Sequence, residues 1–291
     1  MDKEKKRRVF TVRNIIIGIL LLVMIVSAIG FFREQEASRR QQEQEESLAQ
    51  LAAQTTEETE TAPEESSAQE AETEAPYVSP IDFEALQAEN PDTVGWIRVP
   101  DTRIDYPIVQ AADNEKYLHT DFDGGESVYG AVYLDSDSRA DFSGWNNPIY
   151  GHHMKDGSMF KDVVNFKDEA FFKEHRYFEV YTPERTIRLK TIACYYADSN
   201  GIVRKTKFNS RESFDKWVDE RLAPCSFSEK PEVPVDSMFV LVTCSYEQDD
   251  ARTLLYAVEV DENGEVVRAT DRNVPVMPAQ SLPMPGEGKA S

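Results

Sequence analysis

The sequence predicts a mainly β domain, with one helix ahead of the strands and another inserted before the penultimate long strand. Eight or nine short strand-like segments fall within fewer than 200 residues, and turn residues separate them. Short strands at this spacing are typical of a closed or nearly closed barrel. Two apolar runs joined by a short polar loop, Met238–Thr243 and Thr253–Val260, predict an antiparallel pair at its centre.

The N-terminal residues predict a single-pass membrane anchor. Lys3 to Arg13 carry six basic groups, and residues 15–32 follow as an uncharged apolar stretch of 18 residues. At ~1.5 Å per residue such a helix spans ~27 Å, close to the ~30 Å hydrocarbon core. The charge asymmetry places residues 1–14 in the cytoplasm and the rest outside the cell. A cleaved signal peptide is the alternative, because Val26-Ser27-Ala28 offers small residues to a peptidase; the apolar stretch continues to Phe32, which favours an anchor.

Residues 33–76 are predicted to be an acidic, disordered linker. Glu34 to Pro76 contains 13 acidic residues and two arginines, with too few apolar residues to offset the entropy of ordering. The linker either holds the domain off the membrane or has no specific role. The folded domain is expected at 77–277, and residues 278–291, rich in Pro, Gly and small side chains, are expected to form a flexible tail.

Helix signals lie at the start of the domain and within it. Ser79-Pro80 followed by acidic residues predicts a helix start, and Asn90-Pro91 predicts its end. Segments 156–166 and 167–174 are expected to be helical in part. Ser210–Leu222 predicts a clearer amphipathic helix, and its apolar side consists of Phe214, Trp217, Val218 and Leu222.

The strand predictions follow from short apolar runs bounded by turn residues. They are Val94–Val99, Ile104–Val109, Gly130–Leu134, Pro148–Tyr150, Tyr177–Tyr181, Thr186–Tyr196, Met238–Thr243, Arg252–Val260 and Glu265–Ala269.

Composition excludes some classes of function. After Pro76 the chain has 23 basic and 38 acidic residues, which argues against a nucleic-acid-binding protein. The odd number of cysteines, three, leaves at least one free thiol, and whether Cys194 and Cys225 pair stays open. Phosphate-binding glycine loops, Gly-x-Ser-x-Gly and His-Glu-x-x-His are absent from the sequence, so no cofactor is expected.

A thiol and a guanidinium are expected at one rim of the barrel. Cys244 ends one predicted strand and Arg252 begins the next, eight residues later. A thiolate beside a fixed cation can perform acyl chemistry. The alternative is a buried structural cysteine with an ordinary charge at the strand edge.

A thiol nucleophile also needs a base, since an unperturbed thiol (pKa ~8.5) is only slightly ionised at neutral pH. His152 and His153 follow a short apolar strand and Gly151. Adjacent residues of an extended chain point to opposite sides, so at most one of the two faces Cys244. A solvated loop or a metal site is the alternative, but further ligands at suitable spacing are missing, and no metal is expected. His119 and His175 are interpreted as structural or surface residues.

Two stretches carry a family resemblance: the run Tyr-Gly-His-His-Met-Lys-Asp-Gly-Ser-Met-Phe at 150–160, and Leu-Val-Thr-Cys at 241–244 with Arg252. They resemble the sortases, and among them class B. The resemblance extends roughly from Phe83 to Val260. It implies a closed eight-stranded barrel with an N-terminal helix and an inserted helix before the cysteine strand. Val240 and Val242 depart from the usual family pattern, in which hydroxyl residues are common.

The resemblance further implies a membrane-anchored extracellular cysteine transpeptidase of a Gram-positive bacterium, with His152, Cys244 and Arg252 as its catalytic residues. It cleaves a sorting signal after Thr, forms a thioacyl enzyme, and transfers the acyl group to an amine of the cell-wall precursor or of a pilin. The residues that the resemblance places at the substrate are Asn114, Leu118, Tyr150 and Ser245. Alternatives are a pilin-joining enzyme and a non-catalytic surface module that keeps the barrel.

Overall fold

The computed structural model describes residues 2–53, 77–198, 204–245 and 251–268, with the backbone alone at 2–13, 197–198, 244–245 and 251. Two compact units divide the chain, one ending at Ser47 and the other beginning at Leu48. The first unit belongs to helix α1 (Asp2–Ala53). By length and composition, α1 is the one helix in the described part of the chain that could cross a membrane.

Helix α1 continues through residues 33–53, where the sequence predicted a disordered linker. Exposed ion pairs one turn apart, Arg40–Glu36 at 2.6 Å and Arg39–Glu43 at 3.6 Å, support this part of the helix by only a few tenths of a kcal/mol each. Burial matters more in its last turns, since Leu48 and Ala52 pack into the core of the second unit. Residues 54–76 of the predicted linker lie outside the described residues.

Eight strands form a closed barrel, which confirms the predicted fold class. The strands are β1 (Thr93–Arg98), β2 (Asp105–Val109), β3 (Val132–Leu134), β4 (Asn146–Tyr150), β5 (Tyr177–Tyr181), β6 (Thr186–Asp198), β7 (Met238–Ser245) and β8 (Ala251–Glu259). Their order around the barrel is β1-β2-β3-β4-β7-β8-β6-β5. The pairs β2/β3 and β4/β7 are parallel, and the other pairs are antiparallel.

Strand β7 is buried on both faces, which explains its unbroken apolar run. Val240 and Val242 belong to a core cluster with α5 (Arg211–Leu222). Phe239, between them, is fully buried and stacks on Phe142 at 6.2 Å between ring centroids. The predicted antiparallel pairing of β7 with β8 is confirmed along its whole length.

The inserted helix α5 forms as predicted. Ser210 caps it with a reciprocal hydrogen-bond pair to Ser213, and the four predicted apolar residues are its buried ones. Phe214 and Trp217 lie against residues of β7 and β8 in one aromatic and aliphatic cluster. A capped helix with one apolar face therefore closes the outer side of the strand pair that carries Cys244.

The remaining helices are short. They are α2 (Phe83–Glu89), α3 (Lys116–His119), the 3₁₀ helix Lys161–Lys167 and α4 (Glu169–Glu174). The cap of α2 is Asp82 rather than the expected Ser79, because the Asp82 carboxylate accepts the Ala85 N–H at 2.9 Å.

Most of the predicted strands differ from the observed ones by one or two residues at an end, and the prediction at Glu265–Ala269 differs more. Strand β3 begins at Val132 because Gly130 adopts a left-handed backbone conformation, with φ +58°. The predicted strand at Glu265–Ala269 is reduced to one bridge, Val266 to Val260, and residue 269 lies outside the described residues.

Candidate active site

The end of β7 and the start of β8 bring Cys244 and Arg252 together. The backbone of Cys244 is the direct cross-strand partner of Arg252 in the antiparallel ladder. The side chain of Arg252 is partly exposed. A cation at this position stands beside the residue whose thiolate it would favour.

The parallel pairing of β4 with β7 brings His152 to the same end of the barrel. Tyr150 is the register partner of Val242, and the Gly151 N–H donates to the Val242 carbonyl at 3.1 Å. His152 and Cys244 each stand two residues beyond that last register pair. Gly151 is required here, because a Cβ at its position would lie 2.5 Å from the Phe160 ring.

The His152 ring is half-buried and held by a backbone carbonyl. Its Nε2 lies 2.9 Å from the Leu118 oxygen, which can only accept, so Nε2–H is the donor. Nδ1 is then the nitrogen that can take up a proton. Helix α3, which carries Leu118, is itself fixed by the hydrogen bond from the Tyr117 hydroxyl to Asp92 at 2.8 Å. The carbonyl thus orients the imidazole in the way that a carboxylate does in other nucleophile–histidine sites.

The other histidines have different surroundings. His153 is 8% exposed and forms a backbone bridge with Met159. The Nδ1 of His175 bonds the Phe171 carbonyl at 2.9 Å, and its ring stacks on that of Phe171 at 3.8 Å. His119 is exposed on α3. The geometry therefore singles out His152.

The expected substrate-binding residues lie around this end of the barrel. Asn114 and Tyr150 meet at one carboxylate, Asp135, at 3.0 and 2.9 Å. Burial, with the charge of Asp135 beside it, raises the pKa of the Tyr150 hydroxyl, which therefore remains a donor. Leu118 supplies its carbonyl to His152, and the backbone of Ser245 pairs with Ala251.

Sequence reasoning missed Asp135, which is fully buried. A signal was present: Asp135 directly follows the apolar strand Val132–Leu134, a position where a charge needs partners. In the described part of the chain, no group of three His, Cys, Asp or Glu side chains could hold a metal ion.

Comparison with known proteins places this chain among enzymes of one kind. Residues 97–260 match the Sortase domain family model. The chain is 32% identical over 165 residues to Sortase B of Listeria monocytogenes, covering 56% of this chain and 67% of the relative. The crystal structure of sortase B from Clostridium perfringens has a TM-score of 0.58 at 30% identity, covering 61% of this chain and 99% of that one. Sortase B from B. anthracis, in complex with AAEK2, has a TM-score of 0.60 at 29% identity, covering 75% of this chain and 96% of that one.

The barrel and these relatives define a cysteine transpeptidase. The chain belongs to the sortase family, and the relatives it resembles are sortases B. Sortases are cell-surface enzymes that act on sorting-signal peptides, and the apolar part of α1 is compatible with a membrane anchor.

Gly130 permits the contact that orients His152, and a side chain there should disturb it. A Cβ at Gly130 would lie 2.5 Å from the Tyr117 oxygen and 3.1 Å from both the Leu118 oxygen and His152 Cδ2. We expect Gly130→Ala to lower kcat about ten- to a hundredfold, because small displacements of a catalytic group are costly. Steady-state kinetics with a sorting peptide measures this.

Gly124→Ala is the matched control for Gly130→Ala. Gly124 also has a left-handed backbone, with φ +83°, but its Cβ would meet no described atom within 4 Å. Both variants therefore carry the backbone strain of about 1–2 kcal/mol, and only one disturbs the histidine. Equal values of kcat in the two variants would contradict the orienting role of the Leu118 carbonyl.

The two other thiols are expected to be unreactive at neutral pH. Burial raises the pKa of Cys194 to about 12 and that of Cys225 to about 11, and both are free thiols. At pH 8 about one Cys225 side chain in a thousand is then a thiolate. Iodoacetamide at pH 8 should label one cysteine per chain, Cys244, with labelling of Cys225 rising only as the pH approaches 11. Mass spectrometry of tryptic peptides measures this; rapid labelling of Cys194 or Cys225 at pH 8 would contradict it.

Proposed function

We propose that this protein is a membrane-anchored transpeptidase that cleaves a C-terminal sorting signal of surface proteins after Thr and transfers the acyl fragment ending in Thr to an amine of the cell-wall precursor. The observation that carries this proposal is the register of β4, β7 and β8. It brings the backbones of His152, Cys244 and Arg252 to one end of the barrel, although these residues are far apart in the sequence.

The first half-reaction is acylation of the enzyme. The Cys244 thiolate attacks the carbonyl carbon of the Thr residue, and a sulfur–carbon bond forms. The carbon–nitrogen bond to the next residue then breaks. The leaving amine takes its proton from Nδ1 of His152, whose Nε2–H stays on the Leu118 carbonyl.

The second half-reaction transfers the acyl group. An acceptor amine attacks the thioester, His152 Nδ1 now takes the proton, and the Cys244 thiolate leaves. Direct partners in an antiparallel pair stand on one face of the sheet, so Arg252 is suited to stabilise the oxyanion. The backbone N–H of Ser245 is the proposed second donor to that oxygen.

The anchoring and topology are part of the proposal. Residues 15–32 lie within the apolar part of α1, and all of the described side chains in this stretch are exposed, as lipid contact requires. The basic residues before it favour a cytoplasmic N-terminus and an extracellular barrel.

Trapping the thioacyl enzyme tests the proposed function. The full chain in detergent micelles is mixed with a panel of sorting peptides that differ around a central Thr, and the intact protein is weighed by mass spectrometry. We expect a mass gain equal to the mass of the peptide fragment ending in Thr less one water, and an added amine should remove it. Absence of that species with every peptide, from folded protein, would refute the proposal.

A further inference from the structure

A single buried carboxylate joins three parts of the molecule at the end of the barrel where the sorting peptide is proposed to bind, which we call the peptide groove. Asp135 follows β3 and has no exposed surface. Its Oδ2 accepts hydrogen bonds from the Tyr150 hydroxyl at 2.9 Å, from Asn114 Nδ2 at 3.0 Å and from Arg204 Nε at 3.2 Å. Its Oδ1 accepts the N–H of Asp137 at 3.0 Å.

The first two donors carry the parts of the chain next to His152. Tyr150 ends β4, two residues before His152, and its ring stacks on that of Tyr133 at 5.0 Å. Asn114 precedes α3, whose Leu118 carbonyl holds the imidazole. Both ends of the Asn114 amide are engaged inside the protein, because Oδ1 accepts the Ser136 N–H at 2.8 Å while Nδ2 donates to Asp135. Asn114 is thus placed to act through Asp135.

The third donor belongs to the connection between β6 and α5. Arg204 also approaches Asp137 at 3.7 Å, and Lys207 binds Asp137 at 2.8 Å. This ion pair with Lys207 lowers the pKa of Asp137. The Lys205 carbonyl accepts from the buried Asn146 Nδ2 at 3.1 Å. Two carboxylates after β3 therefore hold two cations of residues 204–207, and we call this arrangement the ionic latch.

Asp135 is the common element of these contacts. A buried carboxylate is tolerated only when hydrogen bonds replace its water, and here three side-chain donors share one oxygen. Removal of the negative charge of Asp135 weakens all three of these hydrogen bonds at once. It therefore changes the position of Tyr150, the position of α3 and the closure of the latch as one event.

We propose that Asp135 is a positioning residue of the peptide groove, which sets the affinity for the sorting peptide by fixing Tyr150, Asn114 and the segment 204–207 around it. This proposal rests on the proposed function, since it takes the groove at this end of the barrel to be the peptide site. Asp135 acts through its neighbours and takes no part in the acyl chemistry. Its removal should weaken peptide binding more than it slows the reaction of bound peptide.

The test separates KM from kcat. For Asp135→Asn in the full chain in micelles, we expect KM for the preferred sorting peptide to rise about tenfold, as for the loss of a charge-assisted hydrogen bond. The value of kcat should stay within about threefold. Arg204 is 55% exposed in its side chain, so Arg204→Ala leaves no cavity, and its KM should rise about threefold.

Coupling provides a second readout that a general loss of stability does not reproduce. The double variant Asp135→Asn, Arg204→Ala should have the KM of Asp135→Asn alone, because the latch is already open. Asp141→Asn is the matched control: it lies in the same β3–β4 connection and pairs with Arg139 and Ser143, and none of its described contacts is with the groove. Its kinetics should equal those of the wild type.

Several results would overturn the proposal. The first is a KM for Asp135→Asn equal to that of Asp141→Asn. The second is a fall in the kcat of Asp135→Asn with its KM unchanged, and the third is fully additive effects of Asp135→Asn and Arg204→Ala on KM. If thermal melting shows that Asp135→Asn does not fold, the KM values of Arg204→Ala and Tyr150→Phe provide the test. Wild-type KM values in both variants refute the proposal. Wild-type protein that turns over no peptide contradicts the proposed function itself, and the role of Asp135 with it.

Discussion

Replacing Cys244 with alanine is expected to abolish cleavage of sorting peptides, with a loss of at least about 10⁴-fold in kcat/KM. Alanine removes the sulfur that forms the acyl bond, and no neighbouring group can substitute for it in a thioester mechanism. The loss is measured by following the release of the peptide fragment after Thr. Peptide binding to the variant, measured by calorimetry, should persist, because the groove is retained.

Cys225→Ala is the matched control for this substitution. Cys225 is a partly buried free thiol whose Sγ lies 3.5 Å from the Arg221 carbonyl. Its variant should cleave peptide at the wild-type rate. Persistent cleavage by Cys244→Ala would contradict the mechanism, and a wild-type protein that binds peptides without cleaving them would favour a non-catalytic module.

His152→Ala is expected to lower kcat by about 10²–10⁴-fold, the range typical for removal of a general acid and base. The leaving amine then departs without a proton donor, and the thiolate loses its imidazolium partner. The measurement is the single-turnover rate of acylation with a sorting peptide. An amine leaving group must be protonated as it departs, whereas a thiolate or an activated alkoxide need not be. His152→Ala should therefore slow the cleavage of a peptide thioester or activated ester much less than that of the amide.

The neighbouring histidine provides the comparison. His153 is buried and bridges Met159 through its backbone, so His153→Ala should lower the free energy of unfolding by about 1–2 kcal/mol. Its kcat, corrected for the folded fraction, should stay within about threefold of the wild type. Equal losses of kcat in the two variants would contradict the assignment of the base to His152.

Local sequence pattern predicted the barrel because its strands are short apolar runs between turn residues. The run at Met238–Thr243 predicted a strand covered on both sides, and α5 covers its outer side. The capped helix Arg211–Leu222 was equally visible, since Ser210 and one apolar face suffice to define it. Helix α1 was underpredicted, because the burial of Leu48 and Ala52 depends on a core assembled from distant segments.

The candidate site was predicted only in part. The motif at Tyr150–Phe160 singled out two histidines, and alternation along the chain left one of them to face Cys244. The resemblance to the sortases named His152. A physical reason for that choice lies in the register of β4 on β7 and in the contact with the Leu118 carbonyl, and neither of these leaves a pattern in the sequence. Asp135 was missed for a similar reason: its position after an apolar strand indicated only that the charge needs partners, and the three side-chain donors to it come from segments that are distant in the sequence.

The parallel pairing of β4 with β7 has a consequence for the life of the chain. Tyr150 and Val242 stand 92 positions apart, and the connection between them includes β5 and β6, the helices α4 and α5 and the 3₁₀ helix. Contacts so distant along the polypeptide form late, after the intervening segments have collapsed. In a nascent or partly folded chain, the His152 imidazole and the Cys244 sulfur are therefore not yet brought together. An incompletely folded copy is expected to be inactive, and activity arises only when the barrel is complete.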